Sequence, residues 1–210
     1  MFQKNKRNTL GFTLVELLVV IFILGLLAGI LYPAVQGIYS RSKSKVAATE
    51  IQQLEAAIIL YETDYRNFPP TYLKSLGLSF SNATNEGIES LVLTLSSQKK
   101  DLSYFEFKED HLENTDSDIS VIPLKKLTNS IFKTNQLLEY IDPWGNPYIY
   151  FHFDDVLDKV QNWYMINGQK IFIKPDLRQD KMGLLRGMGR YQLRSLGPDT
   201  ESIEDDIQSN

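Results

Sequence analysis

The hydrophobic pattern of the N-terminal third predicts one long helix. From Phe12 to Leu31 every residue is apolar or glycine except two, and a run of this length predicts a helix that crosses the hydrocarbon core of a bilayer. Beyond the run, apolar residues recur at alternating steps of four and three, which is the spacing of an amphipathic helix: Ala47, Ile51, Leu54, Ile58, Tyr61 and Tyr65. We therefore predict a helix from Phe12 to about Tyr65, ended by the two prolines that follow shortly after it.

Glu16 and Pro33 are unusual residues for a membrane-spanning helix. Glu16 places an ionisable side chain near the start of the apolar run, which costs on the order of a few kcal/mol unless the side chain is neutralised, finds a partner or extends to the headgroups. Pro33 removes one helical hydrogen bond, which predicts a kink or a loosened turn where the helix leaves the bilayer. Both residues are candidates for function. The simpler alternatives are a glutamate held at the headgroups and a proline tolerated near the end of the membrane segment.

The C-terminal third has the period of strands. Residues 148–153 alternate as a strand does, and residues 162–166 and 169–174 flank Asn167-Gly168, a favoured pair for a tight hairpin turn. Residues 190–195 form a further strand pattern. The predicted fold class is α+β, with a long N-terminal helix packed on a C-terminal antiparallel sheet of about four strands.

The pattern between these regions is weaker. Glu86 to Leu95 predicts a short helix. The polar segment from Ser96 to Thr134 contains four acidic residues close together: Asp110, Glu113, Asp116 and Asp118. We predict an elaborated loop with one strand at Tyr104 to Phe107. The loop either makes subunit-specific contacts or is a solvated insertion.

Composition excludes several function classes. The chain has 210 residues, which is enough for the membrane segment and one domain with its own core. The net charge of −4 and the scattered basic residues give no case for nucleic-acid binding. There is no cysteine, which excludes disulfides and thiolate sites, and two histidines are a poor basis for zinc or triad chemistry.

The N-terminus differs from a cleaved secretory signal. Lys4, Lys6 and Arg7 precede the apolar run, but the run is longer than an ordinary signal core and no A-x-A-like site follows it. The small residue, Gly11, lies before the run. A cut beside it would leave the helix in the product.

The basic leader, the motif Gly11-Phe12-Thr13-Leu14-Val15-Glu16 and the apolar helix together resemble the class III signal of type IV pilins and type II secretion pseudopilins. In that family a membrane-embedded prepilin peptidase cuts after the glycine and methylates the new amine. The resemblance implies cleavage between Gly11 and Phe12, N-methylation of Phe12, and a leader that stays in the cytoplasm. It also implies that Glu16 meets the amine of a neighbouring subunit, and that Pro33 marks where the helix melts during assembly.

A second motif narrows the resemblance. Asp142-Pro143-Trp144-Gly145-Asn146-Pro147-Tyr148 has the residues of a tight turn and predicts a hairpin around a buried Trp144. It is similar to a stretch of the major pseudopilin of type II secretion systems. The resemblance implies a non-enzymatic subunit of a periplasmic pseudopilus that drives protein export. The implied partners are copies of itself, other pseudopilins, the prepilin peptidase and an inner-membrane assembly platform.

The acidic C-terminal segment is a candidate calcium site. Calcium prefers hard oxygen ligands, and the segment from Ser195 to Ile207 supplies several. The resemblance to major pseudopilins implies that Asp199, Asp205 and Asp206 donate carboxylates and that Leu196 donates its backbone carbonyl. The glycines usual between those aspartates are absent here. The alternative is a solvated acidic terminus.

These patterns predict five regions and leave two other functions open. The regions are a leader at 1–11, a transmembrane helix at 12–32, an amphipathic helix at 33–66, a variable region at 67–138, and the sheet with its acidic loop at 139–210. One alternative is a type IV pilin or minor pilin for adhesion, motility or DNA uptake. The other is a membrane-anchored binding or hydrolase domain that uses paired carboxylates such as Asp154 and Asp155. No feature of the sequence indicates the cleft that such a hydrolase needs.

Overall fold

The computed structural model describes residues 12–77, 82–96, 98–99, 102–120, 135–152, 162–175, 191–198 and 207–208. The chain divides into two compact units, Met1–Ser42 and Lys43–Asn210. The first unit contains the N-terminal part of one helix. The second unit contains the remainder of that helix and all the strands.

The long helix α1 runs from Leu14–Tyr65, which confirms the predicted helix with its first turn two residues later than expected. It is helical without interruption through Pro33. Its first half is long and apolar enough to cross a membrane, and no residue of that window is buried. Lipid would cover these side chains, which otherwise form a large apolar surface in water.

The second half of α1 contributes one face to the core of the second unit. Ala47, Ile51, Leu54 and Ile58 are buried, as their spacing predicts. The stripe loosens towards the end of the helix. Tyr65 is 51% exposed and stacks on Tyr61, with 4.5 Å between the ring centroids.

A second helix, α2 at Glu86–Ser96, confirms the short predicted helix and is buried along almost its whole length. α2 packs closely against strand β5 (Ile149–His152) because Gly87, in the first turn of the helix, has no side chain. A Cβ on Gly87 would overlap the carbonyl oxygen of Tyr150 and lie 2.5 Å from the hydroxyl of Tyr164. Two short 3-10 helices, Leu73–Leu76 and Glu109–His111, complete the helical elements in the described parts of the chain.

Nine short strands are present in the described residues, all paired antiparallel. β5, β8 and β9 form a three-stranded sheet in the order β5-β8-β9, and three two-stranded sheets pair β1 with β2, β3 with β4, and β6 with β7. The strands are β1 Gln98–Lys99, β2 Leu102–Ser103, β3 Leu112–Glu113, β4 Glu139–Tyr140, β5 Ile149–His152, β6 Trp163–Ile166, β7 Gln169–Phe172, β8 Tyr191–Ser195 and β9 Ile207–Gln208.

The four predicted C-terminal strands correspond to β5, β6, β7 and β8, shared between the three-stranded sheet and one hairpin. Phe153 and Arg190, at the ends of two predicted strands, lie outside the described residues. The hairpin turn has φ of 50° at Asn167 and 73° at Gly168. Positive φ at both central residues is the backbone of a type I′ turn, which matches the twist of the flanking strands.

The predicted strand at Tyr104 to Phe107 is wrong. Strand pairing ends at Ser103, and the Phe105 N–H donates to the Leu95 carbonyl at the end of α2, 3.1 Å away. Phe105 and Phe107 pack on Tyr140 of β4 instead, and the ring centroids of Phe107 and Tyr140 are 5.2 Å apart. The aromatic residues of this segment therefore reflect core packing of an irregular segment.

Candidate functional site

The structure describes half of the predicted site residues. Phe12 and Glu16 lie at the start of α1, the backbone of Pro33 is within it, and Leu196 directly follows β8 and is buried. The other predicted site residues lie outside the described residues: Gly11, Asp199, Asp205 and Asp206.

Glu16 has a partner within its own chain. Its Oε2 accepts hydrogen bonds from the backbone N–H and the hydroxyl of Thr13, both at 2.8 Å, and the Thr13 Oγ1 accepts one from the Glu16 N–H at 3.2 Å. Because α1 begins at Leu14, Thr13 is the N-cap and Glu16 the third helical residue. This is a capping box, which satisfies two backbone donors that a helix otherwise leaves free.

The capping box gives Glu16 a local role. In a bilayer an unsatisfied backbone N–H has no water to bind, so a cap at the membrane end of the helix is worth more than in solution. The Thr-x-x-Glu spacing of a capping box is present in the sequence, but this cap was not predicted.

A buried glutamate, Glu50, connects α1 to the rest of the second unit. Glu50 is 2% exposed. Its Oε2 accepts a hydrogen bond from the Tyr148 hydroxyl at 2.7 Å, and its Oε1 accepts one from the Tyr140 hydroxyl at 3.2 Å. The Lys108 Nζ and the His111 Nδ1 each lie 3.2 Å from Oε1. One carboxylate thus holds together α1, β4, the start of β5 and the segment before β3.

The surroundings of Glu50 keep its phenol partners protonated. Burial, together with the adjacent carboxylate, raises the pKa of Tyr148 and of Tyr140 well above the ordinary value. Both hydroxyls therefore remain donors. The buried role of Glu50 was not predicted, although its position three residues after Ala47 places it on the apolar stripe of α1.

Asp142 organises the turn between β4 and β5. Its Oδ1 accepts hydrogen bonds from the backbone N–H groups of Trp144 and Asn146, at 2.9 and 3.0 Å, and its Oδ2 accepts the Ser195 hydroxyl at 2.6 Å. The turn is therefore tied to the end of β8. Trp144 is half-buried, so the prediction that it fills the core is wrong. The carboxylate of Asp142, rather than the indole, is the centre of this turn.

Comparison with known proteins supports the N-terminal motif from Gly11 to Glu16. Residues 6–32 match the model of the prokaryotic N-terminal methylation motif. The match includes Gly11, Phe12 and the Thr13–Glu16 capping box.

The relatives extend over most of the chain. Type II secretion system core protein G of Pseudomonas aeruginosa is 28% identical over 146 residues, which are 70% of this chain and 75% of the relative. The proteins of the same name from Aeromonas hydrophila and Escherichia coli are 29% and 28% identical, and cover 69% and 66% of this chain and 73% and 69% of their own lengths. The chain is homologous to these core G proteins over about 70% of its length. No solved structure matches it significantly.

The described residues contain one group of three carboxylates close enough to share a metal ion: Glu89, Asp116 and Glu139. Their ligand oxygens lie within 4.8 Å of one another. None of them belongs to the predicted C-terminal set, of which only Leu196 is described.

Proposed function

We propose that this chain is a structural subunit of the periplasmic pseudopilus of a type II secretion system, assembled from the inner membrane to drive protein export. The observation that carries the proposal is that one chain combines the methylation motif at residues 6–32 with similarity to core protein G over about two thirds of its length. The motif alone suits type IV pilins as well. The relatives favour secretion over adhesion, motility or DNA uptake.

The processing chemistry belongs to another enzyme. A prepilin peptidase cleaves between Gly11 and Phe12 and methylates the amine of Phe12. Cleavage removes the basic leader and leaves α1 as the membrane anchor, with its N-terminus on the cytoplasmic side and the second unit in the periplasm. The apolar first half of α1 supports the membrane anchor.

Glu16 then compensates the amine of an adjacent subunit in the filament. The capping box supports this role because it fixes the carboxylate at the first turn of α1, and each carboxylate oxygen has two lone pairs. Thr13 and an incoming amine can therefore bind the same carboxylate. In a poorly solvated bundle such a pair fixes the register between helices, even where its net energy is small.

The acidic C-terminal loop is a proposed calcium site that stabilises the subunit. The buried Leu196 and the bond between Ser195 and Asp142 support it, because they fix the point where the loop leaves β8. The carboxylates would come from Asp199, Asp205 and Asp206.

Two substitutions of Glu16 test the proposal. Glu16→Ala removes both the cap and the charge, whereas Glu16→Gln keeps a residue suited to the third position of a capping box but removes the charge. We expect mass spectrometry to show that the wild-type chain and both variants begin at N-methylated Phe12. Electron microscopy should show filaments for the wild type alone.

Other outcomes would separate the parts of the proposal. Filaments with Glu16→Gln would show that the cap, and not the charge, is required. A wild-type chain that keeps Met1 in cells with an active prepilin peptidase would contradict the pseudopilin assignment. Normal export of secreted enzymes from cells that lack the chain would contradict the secretion role.

A further inference from the structure

Three segments distant in sequence bring acidic side chains together inside the second unit. Glu89 comes from α2, Asp116 from the loop after β3, and Glu139 from β4. Glu89 and Glu139 are 0% exposed, and Asp116 is half-buried. A fourth carboxylate, Asp118, is buried beside them. We call these four residues the acidic cluster.

Hydrogen bonds satisfy only part of the acidic cluster. The Glu139 oxygens accept one bond each, from the Asn85 Nδ2 at 2.9 Å and from the Thr115 N–H at 2.8 Å. Among the described residues, no N–H or hydroxyl donates to the buried carboxylate oxygens of Glu89 and Asp118 or to Oδ2 of Asp116. A wholly buried carboxylate without any donor is rare in folded proteins, and one oxygen of Glu89 lies within 4.8 Å of ligand oxygens of Asp116 and Glu139.

Among the described residues, no positive side chain forms an ion pair with the acidic cluster. Carboxylates in such a setting need a proton or a cation.

Protons alone satisfy only part of the acidic cluster. A protonated Glu89 can donate to the Glu139 carboxylate beside it, which leaves both Asp118 oxygens without a hydrogen bond to a described residue. A single cation at the centre would bind the free lone pairs of several carboxylates at once. It would also remove the repulsion among them.

We propose that the acidic cluster is a calcium site, formed by carboxylate oxygens of Glu89, Asp116 and Glu139 with Asp118 beside them. The ligand oxygens all lie within 4.8 Å of one another, so they fit inside a calcium coordination shell with Ca–O distances of about 2.4 Å. Magnesium requires about 2.1 Å and near-octahedral ligands, and usually keeps several waters. The donor set contains oxygen only, which suits neither zinc nor copper.

The loop that supplies two of the acids has a spacing suited to this role. Asn114, Asp116 and Asp118 alternate as do the first three ligand positions of an EF-hand loop, although Ile119 occupies the place of the usual glycine. In this site the remaining acids come from α2 and β4. The bound ion would fasten the middle segment, the part of the chain predicted as a loop, to the core of the second unit.

The test uses the full-length chain in detergent, freed of metal with EDTA, and carrying Asp205→Asn and Asp206→Asn to remove the carboxylate pair of the proposed C-terminal site. Calcium at about 100 times its Kd should raise the Tm of this parent by about 5 to 10 °C, since the ion binds only the folded state. Isothermal titration calorimetry with calcium alone should give one site, and magnesium should bind more weakly.

Glu89→Gln in this background has the same shape without the charge. In EDTA its Tm should equal or exceed that of the parent, because a buried unpaired charge is removed. In calcium the Tm shift should be lost, with the Kd raised about tenfold or more. Glu113→Gln is the matched control: Glu113 is exposed opposite Glu139 on β3, and its removal should leave the calcium shift unchanged.

Asp116→Asn is a second variant in case Glu89→Gln does not fold, and it should weaken calcium binding in the same way. The proposal is overturned if the parent shows neither a Tm shift nor binding heat with calcium. It is equally overturned if Glu89→Gln and Asp116→Asn both keep the full shift. These results concern the cluster alone and leave the processing and assembly of the chain to the Glu16 experiments.

Discussion

Glu50 shows how a single side chain can determine the docking of a helix. Its carboxylate is almost completely buried among two tyrosine hydroxyls, Lys108 and His111. Removing one member of a buried charged network leaves the others without compensation, which costs more than the network gains as a whole. We therefore expect the loss of stability on removing the Glu50 carboxylate to come from the Tyr140 and Tyr148 hydroxyls, which would be left without an acceptor.

At this scale we predict that Glu50→Ala lowers the free energy of unfolding of the second unit by about 3 kcal/mol. Glu50→Gln should cost less, because its amide oxygen still accepts a hydrogen bond from Tyr148. Urea unfolding of the full chain in detergent, followed by near-UV circular dichroism, measures both. Gln53→Ala, an exposed change on the same helix, is the control and should stay within about 0.5 kcal/mol. A Glu50→Ala cost as small as that of the control would show that the network contributes nothing.

The two helices and the β6–β7 hairpin follow from local pattern, whereas other elements do not. α1, α2 and the Asn167-Gly168 turn were predicted because period and turn chemistry act between near neighbours. The aromatic segment Tyr104 to Phe107 was predicted as a strand, but the Phe105 N–H bonds to the end of α2 instead. A pattern of aromatic residues indicates which side chains are buried, but it does not determine the backbone group with which the segment forms hydrogen bonds.

Gly87 gives a prediction at the scale of elements. An alanine in place of a helical glycine normally stabilises a protein by up to about 1 kcal/mol. Here the methyl group would overlap Tyr150, so we expect Gly87→Ala to destabilise by about 2 kcal/mol as α2 is pushed from β5. Thermal unfolding measures the sign. Gly37→Ala, where no atom lies within 4 Å, is the matched change and should leave the Tm of the domain unaltered. A raised Tm for Gly87→Ala would contradict the close packing.

The whole molecule consists of two units that bury their apolar residues by different means. In the first unit the apolar side chains of α1 are exposed and suited to lipid. The second unit buries its own core, to which α1 supplies one face. Its folding should therefore depend on the part of α1 after Ser42 and not on the membrane segment.

Two truncations test this division. The fragment 43–210 should be soluble and unfold cooperatively, because it retains every residue of the core cluster. The fragment 66–210 should not fold, since it lacks Ile51, Leu54 and Ile58, whose burial is worth roughly 6 kcal/mol. That amount is comparable to the stability of an ordinary domain. Analytical gel filtration and circular dichroism distinguish the outcomes, and a folded 66–210 fragment would show that α1 is dispensable for the core.

The sequence by itself determined the membrane-length helix, the methylation motif, the short helix and the tight hairpin, because each depends on residues within a few positions of one another. Only the tertiary structure decided where the acids lie. Glu50 meets Tyr148 from 98 positions away, and the acidic cluster joins α2, β4 and a loop for which the sequence left a solvated insertion as one alternative. A charged side chain is usually exposed, and what makes its burial tolerable is a set of partners that only the complete fold brings together.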